Sequence, residues 1–338
     1  MAALPLSSST GLTDLFGRQV TYLRLSVTDR CDLRCVYCMA EDMAFLPRKD
    51  LLTIEELYRL AATFIKFGIR KIRITGGEPL ARRGIITLFE LLQPHIGASL
   101  DEVTLTTNGT LLSRFAEPLA KAGVQRINVS LDTLNPVRYE KITRRGDIAH
   151  VFNGLEAAQK AGLKVKLNTV AMQGGFLNEV DSLIRFAHGR GMDLTLIEEM
   201  PLGLTGHDRY DTHLSLSRLR ESLAQRWTLS PLQASTGGPA RYVQVEETGG
   251  RLGFITPLSC DFCAHCNRVR VGSTGRLYPC MGQTGMVELR EILRGCEGGT
   301  ALTEAIHKAV AGKPEGHNFL IEKNNTRGIL RHMSELGG

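Results

Sequence analysis

Hydrophobic and polar positions follow a repeated order over roughly the first 200 residues: a short β-rich run, a loop, then an amphipathic helical stretch. The clearest helical stretch opens at Thr53, and Glu56 three residues later completes a capping box. Strands that alternate with helices in this way are expected to be parallel, because each helix carries the chain back across the sheet. Six strands are predicted, near residues 21–27, 71–75, 103–107, 126–131, 164–170 and 194–200.

The pattern also predicts the fold class. Further helices between the strands are expected near 84–93, 111–122, 148–161 and 178–190. Beyond about residue 205 the order changes to a helix, a hairpin with a Gly-Gly turn, short strands and two more helices, near 215–226, 240–257, 267–278, 287–294 and 301–311. We therefore predict an α/β protein, an incomplete (βα)6 TIM-like barrel followed by a smaller C-terminal α+β region. The predicted domains are an N-terminal extension (1–19), the barrel (20–205), the C-terminal region (206–325) and a tail (326–338).

Basic residues occupy one face of several predicted strands. In KIRIT, Ile72 and Ile74 share one face, whereas Lys71 and Arg73 share the other with Thr75. Helices cover the outside of a parallel barrel, so the apolar face points outward and the basic face points inward. The same alternation pairs Arg24 with Ser26, Lys164 with Lys166, and Arg268 with Arg270. Buried cations need an anion, although a solvated edge strand would explain any single pair.

Composition and charge narrow the class of protein. The 338 residues are 43% hydrophobic and 22% charged, as in ordinary globular proteins, and no apolar run approaches the ~18 residues of a membrane span. The N-terminus lacks the features of a signal peptide, which favours a reducing compartment, the cytoplasm. The formal net charge of +6 comes without a long Lys/Arg block. An anionic small molecule is thus predicted as partner, with no membrane or nucleic acid.

Seven of the eight cysteines form two groups. The groups and the single remaining cysteine are Cys31, Cys35 and Cys38, then Cys260, Cys263, Cys266 and Cys280, and finally Cys296. Three thiolates spaced C-x3-C-x2-C suit a [4Fe–4S] cluster, because three cysteines leave one of four irons open to a small molecule. Buried, unpaired thiols are the alternative without function.

The first group resembles the cluster motif of the radical S-adenosylmethionine (radical SAM) superfamily. The resemblance implies that Cys31, Cys35 and Cys38 hold a [4Fe–4S] cluster that passes one electron to SAM. The 5′-deoxyadenosyl radical released by this cleavage abstracts hydrogen from a substrate, which is chemistry of the cofactor. Residues that match SAM-binding positions of the superfamily are Tyr37, Gly77, Glu78, Ser130 and Met200.

The second group resembles that of the GTP 3′,8-cyclase family of molybdenum cofactor biosynthesis, from about residue 20 to the C-terminus. The resemblance rests on C-x2-C-x13-C together with CNRVR, and it implies a second [4Fe–4S] cluster on Cys263, Cys266 and Cys280. It implies conversion of GTP to (8S)-3′,8-cyclo-7,8-dihydroguanosine 5′-triphosphate. Matching GTP-binding positions are Arg24, Lys71, Arg73, Thr106, Lys166, Arg268 and Arg270, the last two also being catalytic. A tail ending in Gly337 and Gly338 is expected to reach the catalytic chamber.

Several alternatives stay open. Cys260 would allow a closed zinc site with four thiolates, and Thr195 stands where the resemblance leads us to expect an arginine. Another radical SAM enzyme with an auxiliary cluster, such as a peptide-modifying maturase, is the second reading. A zinc-bearing protein that binds nucleic acid is the third. The predicted partners of the cyclase are an electron donor and, as the next enzyme of the pathway, cyclic pyranopterin monophosphate synthase. A homodimer is compatible with the sequence.

Overall fold

The computed structural model describes residues 11–233, 237–258, 262–295, 299–321, 323 and 329–337. Twelve strands in these ranges form one sheet. Their bounds are β1 (Tyr22–Ser26), β2 (Lys71–Thr75), β3 (Glu102–Thr107), β4 (Arg126–Ser130), β5 (Lys164–Ala171), β6 (Asp193–Glu198), β7 (Leu229–Leu232), β8 (Arg241–Val245), β9 (Gly250–Ile255), β10 (Arg268–Val271), β11 (Arg276–Tyr278) and β12 (Val287–Glu288).

The order of the strands in the sheet shows an incomplete barrel. Strands β1 to β6 lie side by side in chain order and are all parallel, as the alternating pattern predicts. Two strands of the C-terminal region extend this parallel array, β10 next to β1 and β9 next to β6. Antiparallel strands complete both edges, with β11 and β12 beyond β10, and β8 and β7 beyond β9. The predicted boundary between residues 205 and 206 stays a prediction.

Helices connect the parallel strands and cover the outer face of the sheet. The α-helices are α1 (Ile54–Lys66), α2 (Ile85–Leu92), α3 (Leu112–Lys121), α4 (Pro136–Thr143), α5 (Ile148–Lys160), α6 (Phe176–His188), α7 (Arg209–Thr212), α8 (Leu216–Ala224), α9 (Arg290–Gly295), α10 (Thr300–Ala311) and α11 (Met333–Leu336). Short 3-10 helices lie at Arg48–Asp50, Pro79–Ala81, Gln93–His95 and Cys263–His265. No helix in the described ranges is long and apolar enough to cross a bilayer.

The predicted capping box at the start of α1 is confirmed. The Thr53 hydroxyl accepts from the backbone N–H of Glu56 at 3.2 Å, and the Glu56 carboxylate accepts from the N–H of Thr53 at 2.8 Å. Leu57, Leu60 and Phe64 then lie on the buried face of the helix. This face packs in the main hydrophobic core, which also contains the outward side chains of the parallel strands.

The pattern missed the short helices α4 and α7 and the edge strand β7. It was also wrong at the start of the helix predicted near 287–294, where the structure has strand β12 (Val287–Glu288) before α9 (Arg290–Gly295). Helix α4 has Asn135 as N-cap and Pro136 at its first position, and an Asn-Pro pair is equally typical of a turn. Strand β7 contains Pro231 and pairs on one side only, at the edge of the sheet. Elements this short carry too few residues for a period to be recognised.

Candidate active site

The first cysteine group lies in the loop that follows β1. A tight turn, in which the N–H of Cys38 donates to the carbonyl of Cys35 at 2.9 Å, fixes the backbone between these two cysteines. Burial raises the pKa of the Cys31 and Cys35 thiols well above their usual range and that of Cys38 to about 11. Thiols in such surroundings become thiolates when a metal centre supplies positive charge, because a coordinated thiol loses its proton.

The TGGEPL segment at the end of β2 forms backbone hydrogen bonds with the start of the cysteine loop. The N–H of Gly77 donates to the carbonyl of Thr28 at 2.8 Å, and the N–H of Glu78 donates to the carbonyl of Arg30 at 2.7 Å. A Cβ atom on Gly77 would stand 2.3 Å from the carbonyl oxygen of Arg30. Glycine is therefore required here, because backbone from two loops must approach within hydrogen-bonding distance.

Glu78 is fully buried and its carboxylate is held by protein donors. One oxygen accepts from the N–H of Leu80 at 2.9 Å and from the hydroxyl of Thr107 at 2.8 Å, and the other accepts from the N–H of Asn108 at 2.7 Å. Burial raises the pKa of Glu78 to about 7 despite these bonds. The side chain thus ties the ends of β2 and β3 together, and its contact with SAM stays a prediction.

A buried carboxylate that the sequence analysis did not single out orients Tyr37. The Tyr37 hydroxyl donates to Asp132 at 2.7 Å, and the other oxygen of Asp132 accepts from the N–H of Val170 at 2.8 Å. Burial raises the pKa of Asp132 to about 6. Its position two residues after the end of β4 was the available signal, since the carboxyl ends of parallel strands carry functional groups in barrels.

The second cysteine group lies toward the opposite end of the strands. Cys263 and Cys266 precede β10, whereas the first group follows β1, and these two strands are parallel neighbours. Cys280 follows β11, and Cys260 lies outside the described residues. Burial acts to raise the pKa of Cys266, but the charges of Arg268 and Lys313, with their hydrogen bonds, lower it to about 7.

One cavity, called the chamber below, connects the two groups. It is lined by both sets of cysteines and by the predicted residues Tyr37, Gly77, Ser130, Met200, Arg24, Arg73, Thr106, Lys166, Arg268 and Arg270. In the described part of the chain, no three His, Cys, Asp or Glu side chains converge closely enough to hold a single metal ion. Both thiol triads line this cavity, and a set of three cysteines suits a [4Fe–4S] cluster with one iron open to a ligand.

Strand register places the predicted cations in rows. Arg24 lies between Arg73 of β2 and Arg270 of β10, so three arginines stand side by side across neighbouring strands. Two residues earlier in β1, on the same face, Tyr22 lies between Lys71 and Arg268. The inward basic face predicted from the alternation in KIRIT is confirmed for Arg73. Lys71 also faces inward, next to the Tyr22 ring, and forms a salt bridge with Glu102 of β3.

Packing these basic side chains together in the chamber lowers the pKa values of several of them. Burial and the charge of Arg270 lower the pKa of Arg24 well below its usual range, and burial and Arg268 lower that of Arg270 to about 10. Burial and the charge of Arg73 lower the pKa of Lys166 to about 7. Like charges packed in this way favour a polyanion between them, because it offsets both the desolvation and the repulsion.

Three polar atoms in the chamber wall lack a protein partner within the described residues. They are Nε of Arg73, the hydroxyl of Thr106 and the side-chain carbonyl of Asn168. Buried polar atoms are normally satisfied, so these atoms indicate a ligand with its own donors and acceptors. Thr195 is fully buried opposite Gly253 and does not line the chamber, so it does not supply the contact expected of an arginine.

The tail reaches both the arginine row and the first cysteine loop. Leu336 packs against Leu202 and Tyr278, and Arg270 donates to the carbonyls of Leu336 and Gly337. The backbone N–H of Ser334 is a hydrogen-bond donor to Cys38. The expected approach of the tail to the chamber is therefore seen up to Gly337, and Gly338 lies outside the described residues.

Known protein families match the sequence over nearly the whole chain. The Radical SAM superfamily profile matches residues 25–187, and the Molybdenum Cofactor Synthesis C profile matches residues 192–319. The chain is 57% identical over 338 residues to the GTP 3′,8-cyclase of Rhizobium etli (strain CIAT 652), covering 99% of this chain and 97% of that protein. It is 56% identical over 339 residues to the GTP 3′,8-cyclase of Brucella melitensis biotype 2 (strain ATCC 23457), covering 99% and 98%.

Among solved structures, Streptococcus suis SuiB bound to S-adenosylmethionine superposes with a TM-score of 0.62 at 17% identity, covering 94% of this chain and 78% of SuiB. At this identity the likeness concerns the fold alone, and it confirms the predicted fold class. The full-length matches decide the family, against both a maturase and a zinc-bearing nucleic-acid-binding protein. The chain belongs to the GTP 3′,8-cyclase family, enzymes of the radical SAM superfamily that use SAM and a [4Fe–4S] cluster.

Proposed function

We propose that this enzyme converts GTP into (8S)-3′,8-cyclo-7,8-dihydroguanosine 5′-triphosphate, the first step of molybdenum cofactor biosynthesis. The observation that carries the proposal is the chamber itself: two cysteine triads toward opposite ends of the strands, and arginines from three adjacent strands beside them. A substrate with a purine at one end and a triphosphate at the other offers a matching distribution of charge.

At the first triad, the chain provides a holder for a cluster and a shaped site for SAM. Together the cluster and SAM supply the radical that removes hydrogen from the substrate. The thiolates of Cys31, Cys35 and Cys38 hold the cluster, and Gly77 leaves room for backbone to approach. Tyr37, fixed by Asp132, lies beside the triad, and Ser130 and Met200 line the same end of the chamber as candidates for contact with the nucleoside.

At the second triad, Cys263, Cys266 and Cys280 would hold a second [4Fe–4S] cluster, which would supply a Lewis-acidic contact for the guanine base. Arg268 begins β10 two residues after Cys266, so it stands between this triad and the arginine row. Cys260 is left out of the ligand set, as the family resemblance implies. A zinc site would require Cys260 as a fourth thiolate and would leave no open position.

The triphosphate lies against the cationic rows. Arg24, Arg73 and Arg270 provide planar guanidinium groups suited to bidentate contact with phosphate oxygens, and Lys166 adds an ammonium group. Lys71, Thr106 and Arg268 complete the predicted set. The unpaired Nε of Arg73 and hydroxyl of Thr106 are the atoms for which a bound phosphate or ribose would supply partners.

The partners of the reaction follow from its chemistry. Reduction of the clusters requires an electron donor, and the cyclic triphosphate is the substrate of cyclic pyranopterin monophosphate synthase. A reducing compartment, the cytoplasm, suits two sets of thiolates. The homodimer stays a prediction.

Anaerobic incubation of the reconstituted enzyme with GTP, SAM and dithionite tests the proposal. We expect 5′-deoxyadenosine, methionine and a product isomeric with GTP, detected by liquid chromatography and mass spectrometry. Cys35→Ser should abolish all three, whereas Cys296→Ser, outside both triads, is the matched control. Cleavage of SAM without any change in GTP would indicate another radical SAM reaction, and colourless, zinc-binding protein would overturn the proposal altogether.

A further inference from the structure

A buried lysine lies against the second cysteine triad. Lys313, which is 3% exposed, follows α10 and lines the chamber. Its ammonium group donates to the carbonyl of Pro279 at 2.6 Å and to the carbonyl of Arg268 at 2.9 Å. Pro279 directly precedes Cys280, and Arg268 stands two residues after Cys266. The lysine therefore joins the two segments that carry the triad.

Lys313 forms no salt bridge with a carboxylate among the described residues. Its contacts are the two carbonyls and the thiol of Cys266. A buried ammonium group is costly unless an anion accompanies it. The anion available at this place is the set of thiolates in the triad, together with whatever cluster they hold.

The segment that carries Lys313 is fixed independently of that charge. Arg18 donates to the carbonyl of Pro314 at 2.5 Å, to that of Glu315 at 2.7 Å and to that of Cys263 at 2.8 Å. Arg18 has its own counter-charge, a salt bridge with Asp14. Substitution of Lys313 can therefore remove a charge while this clamp continues to hold the same loop beside the triad.

We propose that Lys313 is a positioning residue and the charge partner of the second cluster, and that it raises the reduction potential of that cluster. The proposal rests on the proposed function, because it requires a [4Fe–4S] cluster on Cys263, Cys266 and Cys280. Uptake of one electron makes a cluster more negative. A nearby ammonium group stabilises this reduced form more than the oxidised form, as do hydrogen bonds to the cysteine sulfurs. The lysine thereby tunes the cluster that meets the substrate.

The test is a redox titration of the anaerobically reconstituted enzyme, followed by electron paramagnetic resonance, with the first cluster as internal reference. Lys313→Gln keeps N–H donors for the carbonyls but removes the charge, and Lys313→Arg keeps the charge. We expect a more negative midpoint for the second cluster in Lys313→Gln, a midpoint near that of the parent in Lys313→Arg, and no change at the first cluster. Lys308→Met, on the exposed side of α10, is the matched control and should match the parent.

Each other outcome is decisive as well. Loss of the second cluster alone in Lys313→Gln, with retention in Lys313→Arg, supports the role as charge partner. An unchanged midpoint in Lys313→Gln overturns the proposal, as does an equal effect on both clusters, which indicates a general folding defect. If the parent enzyme itself contains only one cluster, the proposed function fails, and iron analysis shows this before any variant is compared.

Discussion

Arg270 donates a hydrogen bond from its guanidinium group to the carbonyl oxygen of Gly337, at 2.6 Å. The side chain that closes the arginine row is thus also the anchor of the C-terminal tail. Gly337 has a φ of +74°, and a Cβ atom there would stand 2.0 Å from the Thr75 hydroxyl oxygen. Only glycine fits at this position of the tail, where the tail lies against the end of β2.

Deleting Gly337 and Gly338 should therefore suppress cyclisation of GTP while both clusters, SAM binding and overall stability stay intact. Gly337→Ala should act in the same direction, because its methyl group meets Thr75. Anaerobic assay with GTP, SAM and reductant measures the effect, and Gly285→Ala, where nothing lies within 4 Å of the added atom, is the control. Product formed at the full-length rate would mean that the tail has no role in the reaction.

Substitution of single basic residues in the chamber should lower the affinity for GTP more than the affinity for SAM. Arg73→Ala and Arg268→Ala should weaken GTP binding more than SAM binding, because a charge-assisted phosphate contact contributes roughly 1.5–3 kcal/mol, about a tenfold to hundredfold change in affinity. Arg73→Lys should restore only part of the loss, since an ammonium group cannot make a bidentate contact. Isothermal titration with each ligand checks this. Arg218→Ala, at an exposed position of α8, is the control, and equal losses for GTP and SAM would point to misfolding instead.

Iron content should report the ligand sets of the two clusters. We expect about eight irons per chain after anaerobic reconstitution, four for each cubane cluster. Cys35→Ser should abolish cleavage of SAM and leave the cluster on Cys263, Cys266 and Cys280. Cys260→Ser should change neither iron content nor cyclase activity. If Cys260→Ser lost half of the iron, the three-cysteine assignment of the second site would be wrong.

The affinity for GTP should fall as the pH rises above 7. Burial and the charge of Arg73 lower the pKa of Lys166 to about 7, so its side chain is largely neutral in the free enzyme at pH 8. Bound triphosphate favours the charged form, so binding must take up a proton in this range, and one proton corresponds to at most about tenfold in affinity per pH unit. Below pH 7 the lysine is already charged and contributes no slope.

Binding measured between pH 6.5 and 8.5 checks this dependence, and Lys166→Met should remove the part that belongs to the lysine. For stability the sign is opposite: a lysine whose pKa is lowered on folding leaves the unfolded chain with more bound protons between about pH 7 and its ordinary pKa. Its contribution to the free energy of unfolding therefore rises with pH in that window. A pH slope for GTP that is identical in the parent and in Lys166→Met would contradict the assignment.

Local patterns were sufficient for the parallel core. KIRIT predicted β2 with its bounds and with Ile72 and Ile74 on the outer face, because strand period and burial are both recorded in neighbouring residues. The cysteine motifs could also be recognised from the sequence, because the cysteines of each motif are close together in the chain. Lys313 carries no such record, because its role depends on a contact with Pro279, 34 residues away in the chain. Asp132 carries one only in its position after β4, and its partner Tyr37 lies 95 residues away. Arg18 is the extreme case, since it lies in the predicted N-terminal extension yet donates to Cys263.

The position of β10 next to β1 has a consequence for the synthesis of the chain on the ribosome. Tyr22 of β1 pairs with Lys71 on one side and with Arg268 on the other. One edge of β1 therefore has no partner strand until most of the chain has been synthesised. Sequential pairing of β1 through β6 can proceed during translation, but the nascent barrel presents an unpaired strand edge throughout, the kind of edge that invites association with other chains. Strand β10 covers that edge and also carries Arg268 and Arg270, so protection of β1 and completion of the cationic rows depend on the same strand.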